Sequence, residues 1–147
     1  MSAGAAADDA ARWREERRAA SAHHADALAR RLAAESAQAR QMLAGLVREA
    51  QARGPAPAPL VVRSFDGRHT YSTPLRGWYL RQDRSVAVDT AGEFYVMRAP
   101  SSLAARWRGV SPEPSEPPLI LGAGGKDGES LDLDVAIARV LAGGVGQ

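Results

Sequence analysis

A chain of 147 residues has material for one globular core, and with 45% apolar but only 5% aromatic residues that core must be built largely from small side chains. It has no cysteine, which excludes disulfide staples, thiolate zinc sites and cysteine nucleophiles. The net charge of +2 hides an asymmetry: nine arginines meet seven acids in residues 1–53, eight meet four in 54–110, and two basic groups meet six acids in 111–147. A basic middle beside an acidic C-terminal part can neutralise itself, leaving only a modest field for drawing in a polyanion.

The first residues carry Asp8 and Asp9 where a secretory signal needs basic groups, and no run of about 18 apolar residues occurs. The expectation is a cytoplasmic protein that does not enter a membrane. All basic residues except Lys126 are arginine, in step with the abundance of alanine and glycine that a GC-rich genome produces.

Residues 1–53 read as a helical arm. From about Asp8 to Arg53 there is no proline and one glycine, Gly45, among Ala, Arg, Glu, Gln and Leu. Leu28, Leu32, Ala39, Met42, Leu43, Leu46, Val47 and Ala50 share one face, so residues 28–50 are expected to pack. Residues 8–27 offer Trp13 and alanines and are expected to stay solvated, supported by charge pairs at i,i+3 and i,i+4. Leu28, Leu32, Leu43, Leu46 and Val47 form the candidate helix interface, for a protein partner or a second copy of the chain. Against a long coiled coil, Glu35 and Glu49 fall on d-like positions.

Gly54-Pro55-Ala56-Pro57-Ala58-Pro59 ends the helix and reads as a linker over residues 54–59. The period then switches to two over residues 60–142. Leu60–Phe65 and Arg68–Thr73 flank the turn signal Asp66-Gly67, Gly77–Arg81 and Ser85–Asp89 flank Gln82-Asp83-Arg84, and Thr90-Ala91-Gly92 leads into Glu93–Arg98. This predicts an antiparallel meander. Leu103–Gly109 suggests a short helix or turn whose Trp107 plugs the sheet, with docking through that indole as the alternative. Ser111–Pro118 is a proline-rich loop, Leu119-Ile120-Leu121 a last short strand, and Ser130 the start of a helix with Leu133, Ile137, Val140 and Leu141 on its inner face. Residues 143–147 are a tail.

Four constellations carry chemistry in principle. Gly122–Ser130 has the strand–glycine–helix context of a phosphate loop, yet Asp127 stands where a dinucleotide fingerprint needs glycine and a P-loop needs Ser or Thr, and nearby acids repel phosphate. Adjacent His23 and His24 point about 100° apart on a helix, unsuited to one metal. Ser, His and Asp occur without a nucleophile elbow. The fourth is an arginine and aromatic β surface, Arg76, Arg81 and Arg84 with Tyr79 and Tyr95, the mixture by which small barrels bind single strands. Its structural alternative is a core of Trp78, Phe94 and Val96 with arginines on the wet side.

Gly77-Trp78-Tyr79-Leu80-Arg81, Arg84-Ser85-Val86-Ala87-Val88, Gly92-Glu93-Phe94-Tyr95-Val96 and Gly125-Lys126-Asp127-Gly128-Glu129-Ser130 resemble phrases in small uncharacterised proteins of GC-rich actinobacterial genomes, over residues 35–142. That resemblance implies compartment and architecture and brings no activity, cofactor or site. The expected fold is α+β, with a long N-terminal helix, a small four- or five-stranded antiparallel sheet and a C-terminal helix on the sheet. The expected function is a non-enzymatic adaptor or regulatory module with no cofactor, metal or catalytic residue, binding a protein partner or itself through the helix. The alternative is a nucleic-acid-binding module, and the third reading a small ligand-binding or enzymatic domain.

Overall fold

The structure, a computed structural model, describes residues 3–122 and 130–145. It is α+β, with a long helix α1 (Ala3–Arg53), a five-stranded sheet of β1 (Ala58–Ser64), β2 (Thr70–Tyr79), β3 (Val86–Asp89), β4 (Phe94–Val96) and β5 (Arg98–Ala99), and a short helix α2 (Leu103–Arg108). A two-stranded ribbon of β6 (Ile120–Leu121) and β7 (Leu131–Asp132) then leads into α3 (Leu133–Leu141). No helix among the described residues is long and apolar enough to cross a membrane.

Residues 1–35 and 36–147 form two units. In the first, no described side chain is buried, as the scarcity of apolar residues before Leu28 dictates. Its helix is supported locally: Arg12 meets Asp9 at 3.7 Å, Arg18 meets Glu15 at 3.3 Å, and the Arg17 guanidinium lies 4.2 Å from the centre of the Trp13 ring. Such exposed pairs are worth only about 0.2–0.5 kcal/mol each.

The second unit has two apolar clusters on opposite faces of one sheet. On the outer face, Ala39, Leu43, Leu46, Val47 and Ala50 of α1 pack with Trp78, Leu80, Val88 and Phe94, together with Leu121 and with Leu133, Ala136 and Val140 of α3. Burying Leu43 and Leu46 completely contributes on the order of 1.5–3 kcal/mol each. On the inner face lie Leu60, Val62, Tyr71, Tyr79, Ala87, Tyr95, Met97 and Ala105.

That inner cluster exists because the sheet closes. The strand order is β4-β3-β2-β1-β5, and only Met97 separates the two edge strands along the chain. The Met97 N–H donates to Ser85 O at 2.8 Å and its carbonyl accepts from Arg63 N–H at 3.2 Å, so one residue joins both edges. The first four strands form the expected meander, but β5 pairs parallel with β1, which makes a small barrel rather than an open antiparallel sheet.

Several expectations are corrected. Arg68–Thr73 and Gly77–Arg81 are not separate strands: β2 runs through Pro74, and the missing N–H is absorbed where the β1–β2 register shifts between Pro59 and Val61. Residues 58 and 59 of the expected linker belong to β1. The buried face of α1 begins at Ala39, while Leu28 and Leu32 are each 53% exposed. Val96 is exposed and no part of the core. The last helix starts at Leu133, with Asp132 at its N-cap, because Leu131 and Asp132 pair with β6 first.

Candidate functional site

The aromatic members of the expected arginine face are not on the surface. Tyr79 and Tyr95 point into the barrel and are buried. The Tyr79 hydroxyl accepts from Val61 N–H at 2.8 Å and donates to Val61 O at 3.3 Å, tying β2 to β1. The Tyr95 hydroxyl donates to Asp89 Oδ2 at 2.9 Å, while Asp89 Oδ1 accepts from Ala91 and Glu93 N–H and closes the β3–β4 turn. Tyr79 at 7% exposure and Tyr95 at 5% show too little of their rings to serve as stacking platforms for bases.

Burial, reinforced by the hydrogen bond to Asp89, pushes the Tyr95 phenol up to about 12 from its ordinary 10.0. A group whose folded value is raised stabilises the fold fully below its unfolded value and loses that contribution as pH rises through the folded one. The stability advantage of the wild type over Tyr95→Phe should therefore be constant below pH 10.0 and shrink between there and about 12. Paired thermal melts across that window test this, and an advantage that persists unchanged above it would refute the hydrogen-bonded assignment.

The arginines are held differently. Arg76 is exposed on β2 and donates through Nη2 to Pro57 O at 3.2 Å. Arg81 donates through Nη1 to Leu121 O at 3.2 Å and lies 3.6 Å from Asp83, so it braces the sheet against β6. Arg84 sits in the same β2–β3 turn with its guanidinium 5.4 Å from the centre of the Tyr79 ring. Asp83 caps this turn by accepting from the Ser85 N–H at 3.0 Å and its hydroxyl at 2.5 Å. Burial alone would raise the Asp83 carboxyl, but the two Ser85 hydrogen bonds and the charges of Arg81 and Arg98 outweigh it and hold the carboxyl below its usual range.

The candidate helix interface divides as well. Leu43, Leu46 and Val47 are in the core and unavailable to a partner, leaving Leu28 and Leu32 exposed.

Sequence reasoning placed Trp107 inside the sheet, and this is corrected: it is 89% exposed. The α2 helix is capped by Ser102, whose side chain accepts from Ala105 N–H at 3.2 Å, and by Gly109, whose N–H donates to Ala105 O at 2.8 Å. Ser102 N–H also donates to the Tyr71 hydroxyl at 2.9 Å, which fixes the helix on the barrel. With these ends pinned, Ala105 is the residue turned inward. One turn apart on the opposite side, Leu103 at 75% exposure and Trp107 form an outward ridge, with Arg106 and Arg108 on its two flanks. Gly109 is itself required here: its φ is +73°, and a Cβ would stand 2.6 Å from Ser72 O.

Beside the ridge, the β1–β2 turn is tied to the start of α2. Asp66 accepts from the Ser64 hydroxyl at 2.5 Å, from Arg68 N–H at 2.9 Å and from the Ser101 hydroxyl at 3.2 Å. The Ser64 bond first, then the Arg68 amide, hold the Asp66 carboxyl down at about 2. Phe65 of that turn is 71% exposed.

Among the described residues no three His, Asp or Glu side chains come together as a metal site. The His23 and His24 rings lie 6.5 Å apart and tilted by 59°. Of the Gly122–Ser130 loop, residues 123–129 lie outside the described residues. Compared with protein-family models, curated proteins and solved structures, the chain matches none of them.

Proposed function

We propose that the protein is a non-enzymatic interaction module whose barrel presents the Leu103–Trp107 ridge to a partner protein. The observation that carries this reading is the exposure of Trp107, at 89%, on a helix capped at both ends and anchored to the barrel. A Trp held rigidly in water loses its burial energy and keeps a large, low-entropy contact surface, and Trp, Tyr and Arg are the residues enriched at the energetic centres of interfaces. Arg106 and Arg108 give the complementary partner its chemistry: an apolar pocket rimmed by carboxylates. Leu28 and Leu32 offer a second, helical surface for a partner or another copy.

The test is quantitative capture from a lysate of the native source with the intact protein, beside Trp107→Ala and a Leu103→Ala, Trp107→Ala double variant. Since the side chains are exposed, both variants should melt as the wild type does. Proteins captured by the wild type should bind Trp107→Ala at least about tenfold more weakly, as removal of a central interface Trp predicts. Equal capture by all three would dismiss the ridge as the binding element. Tight, salt-sensitive binding of a single-stranded oligonucleotide lost in the same variants would favour the nucleic-acid reading instead.

A further inference from the structure

On another part of the barrel, where β1 leaves the proline segment and crosses the end of β2, a cleft of about 400 Å³ opens. Its wall is formed by Pro55, Pro59, Trp78, Tyr79 and Val145, and among the described residues Arg84 is the one charged side chain lining it. This volume lies in the range of small-molecule sites.

The polar edges of the aromatic wall are already satisfied. The Trp78 indole N–H donates to Pro55 O at 2.8 Å, and the Tyr79 hydroxyl is engaged by both backbone groups of Val61. What these residues offer the cleft is carbon. Arg84 is the exception: among the described residues no carboxylate or carbonyl accepts from its guanidinium, which rests half-buried against the Tyr79 ring. Its neighbours differ, for Arg98 donates to the carbonyls of Arg84 at 3.1 Å and Asp83 at 2.6 Å, and the Asp83 carboxylate is directed to Ser85 and Arg81.

The backbone is also unusual at this residue. Arg84 has a φ of +57°, the only positive value at a non-glycine position among the described residues. Its N–H donates to Arg81 O at 3.1 Å and its carbonyl is held by Arg98, so the surrounding bonds maintain a conformation that a residue with a Cβ disfavours. Strain of this kind persists where it places a side chain for use.

We infer that this cleft binds a small organic monocarboxylate, its apolar body lying along Trp78, Pro55 and Pro59 and its carboxylate taken by the Arg84 guanidinium. A single planar fork matches two carboxylate oxygens. Among the described residues one arginine, with no second cation beside it, lines the cleft; it compensates one negative charge, which selects against a phosphate dianion. The site is separate from the Leu103–Trp107 ridge and does not rest on it.

The test is an amide-resolved NMR titration of the full-length protein with 4-phenylbutyrate, its neutral amide and phenyl phosphate, each up to about 10 mM, the range in which fragment-sized ligands saturate. The carboxylate should shift the Trp78 indole N–H and the amides of Val61 and Gly77 in a saturable way. The amide should bind about tenfold more weakly or worse. Arg84→Gly removes the cation and suits the positive φ, so it should fold at least as stably as the wild type and lose that preference for carboxylate over amide. Arg84→Lys should retain part of it. Absence of saturable shifts at the cleft, equal binding of acid and amide, an unchanged preference in Arg84→Gly, or tighter binding of phenyl phosphate would each overturn the assignment.

Discussion

Trp78→Ala should cost about 3–5 kcal/mol, the range for removing a large aromatic from a core, and lower the melting temperature by about 10–15 °C in a protein of this size. The indole is 5% exposed, stands opposite Val88 across the β2–β3 ladder, and packs in the cluster that joins α1 and α3 to the sheet. Its truncation leaves a cavity between three elements that cannot all close on it, and it strips Pro55 O of its donor. Trp78→Phe separates the two losses: most of the volume is kept, and the lost hydrogen bond alone costs about 1–2 kcal/mol. Thermal and urea melts of the pair give both numbers, and an unaltered transition in Trp78→Ala would remove the residue from the core.

Trp78 and the α1 face of Leu43, Leu46 and Val47 were legible in the sequence for the same reason. Each lies on a regular element whose burial is one-sided, so spacing of two or of three and four reports it directly. Closure of the barrel was not legible. It depends on Met97 bonding to Ser85 on one side and Arg63 on the other, a pairing across more than thirty residues that leaves no periodic trace. Closure is also what reassigns Tyr79 and Tyr95. Once a sheet is covered on both faces, three consecutive residues such as Trp78, Tyr79 and Leu80 are all buried, and alternation no longer separates inside from outside. Trp107 misled in the opposite direction, because size suggested burial while the caps at Ser102 and Gly109 turned Ala105 inward.

The candidate sites follow the same division. Arg76, Arg81 and Arg84 could be named as a basic group from composition, but only the folded turn distinguishes an Arg81 engaged with Leu121 and Asp83 from an Arg84 whose guanidinium faces a cleft. The sequence signal that could have marked Arg84 is the turn itself. Asp83 followed two residues later by Ser85 predicts an Asx-type cap, and such a cap places the residue between them under backbone constraint.

Among the described glycines, Gly77 is where an added methyl should do the most damage. Gly77 pairs with Ala58 on one side and Asp89 on the other, so its strand has no free edge to move toward. A Cβ built there would lie 2.0 Å from Val88 O and 2.7 Å from Asp89 Cα, and these are backbone atoms of β3 that no side-chain rotation can withdraw. Relief requires β3 to separate from β2, which breaks the ladder beside Trp78 and opens both clusters at once. The expected loss is about 3 kcal/mol or more, at or beyond the upper end for an overpacked core. Gly45→Ala is the internal control, with the opposite sign: it lies in the interior of α1, its nearest neighbour is the flexible Arg48 Nη2 at 3.8 Å, and alanine should stabilise the helix by about 0.5–1 kcal/mol. Denaturant melts of the two variants decide the matter. If Gly77→Ala unfolds at the same midpoint as the wild type, then β2 and β3 do not approach as closely as described, and the wall of the Arg84 cleft must be drawn again.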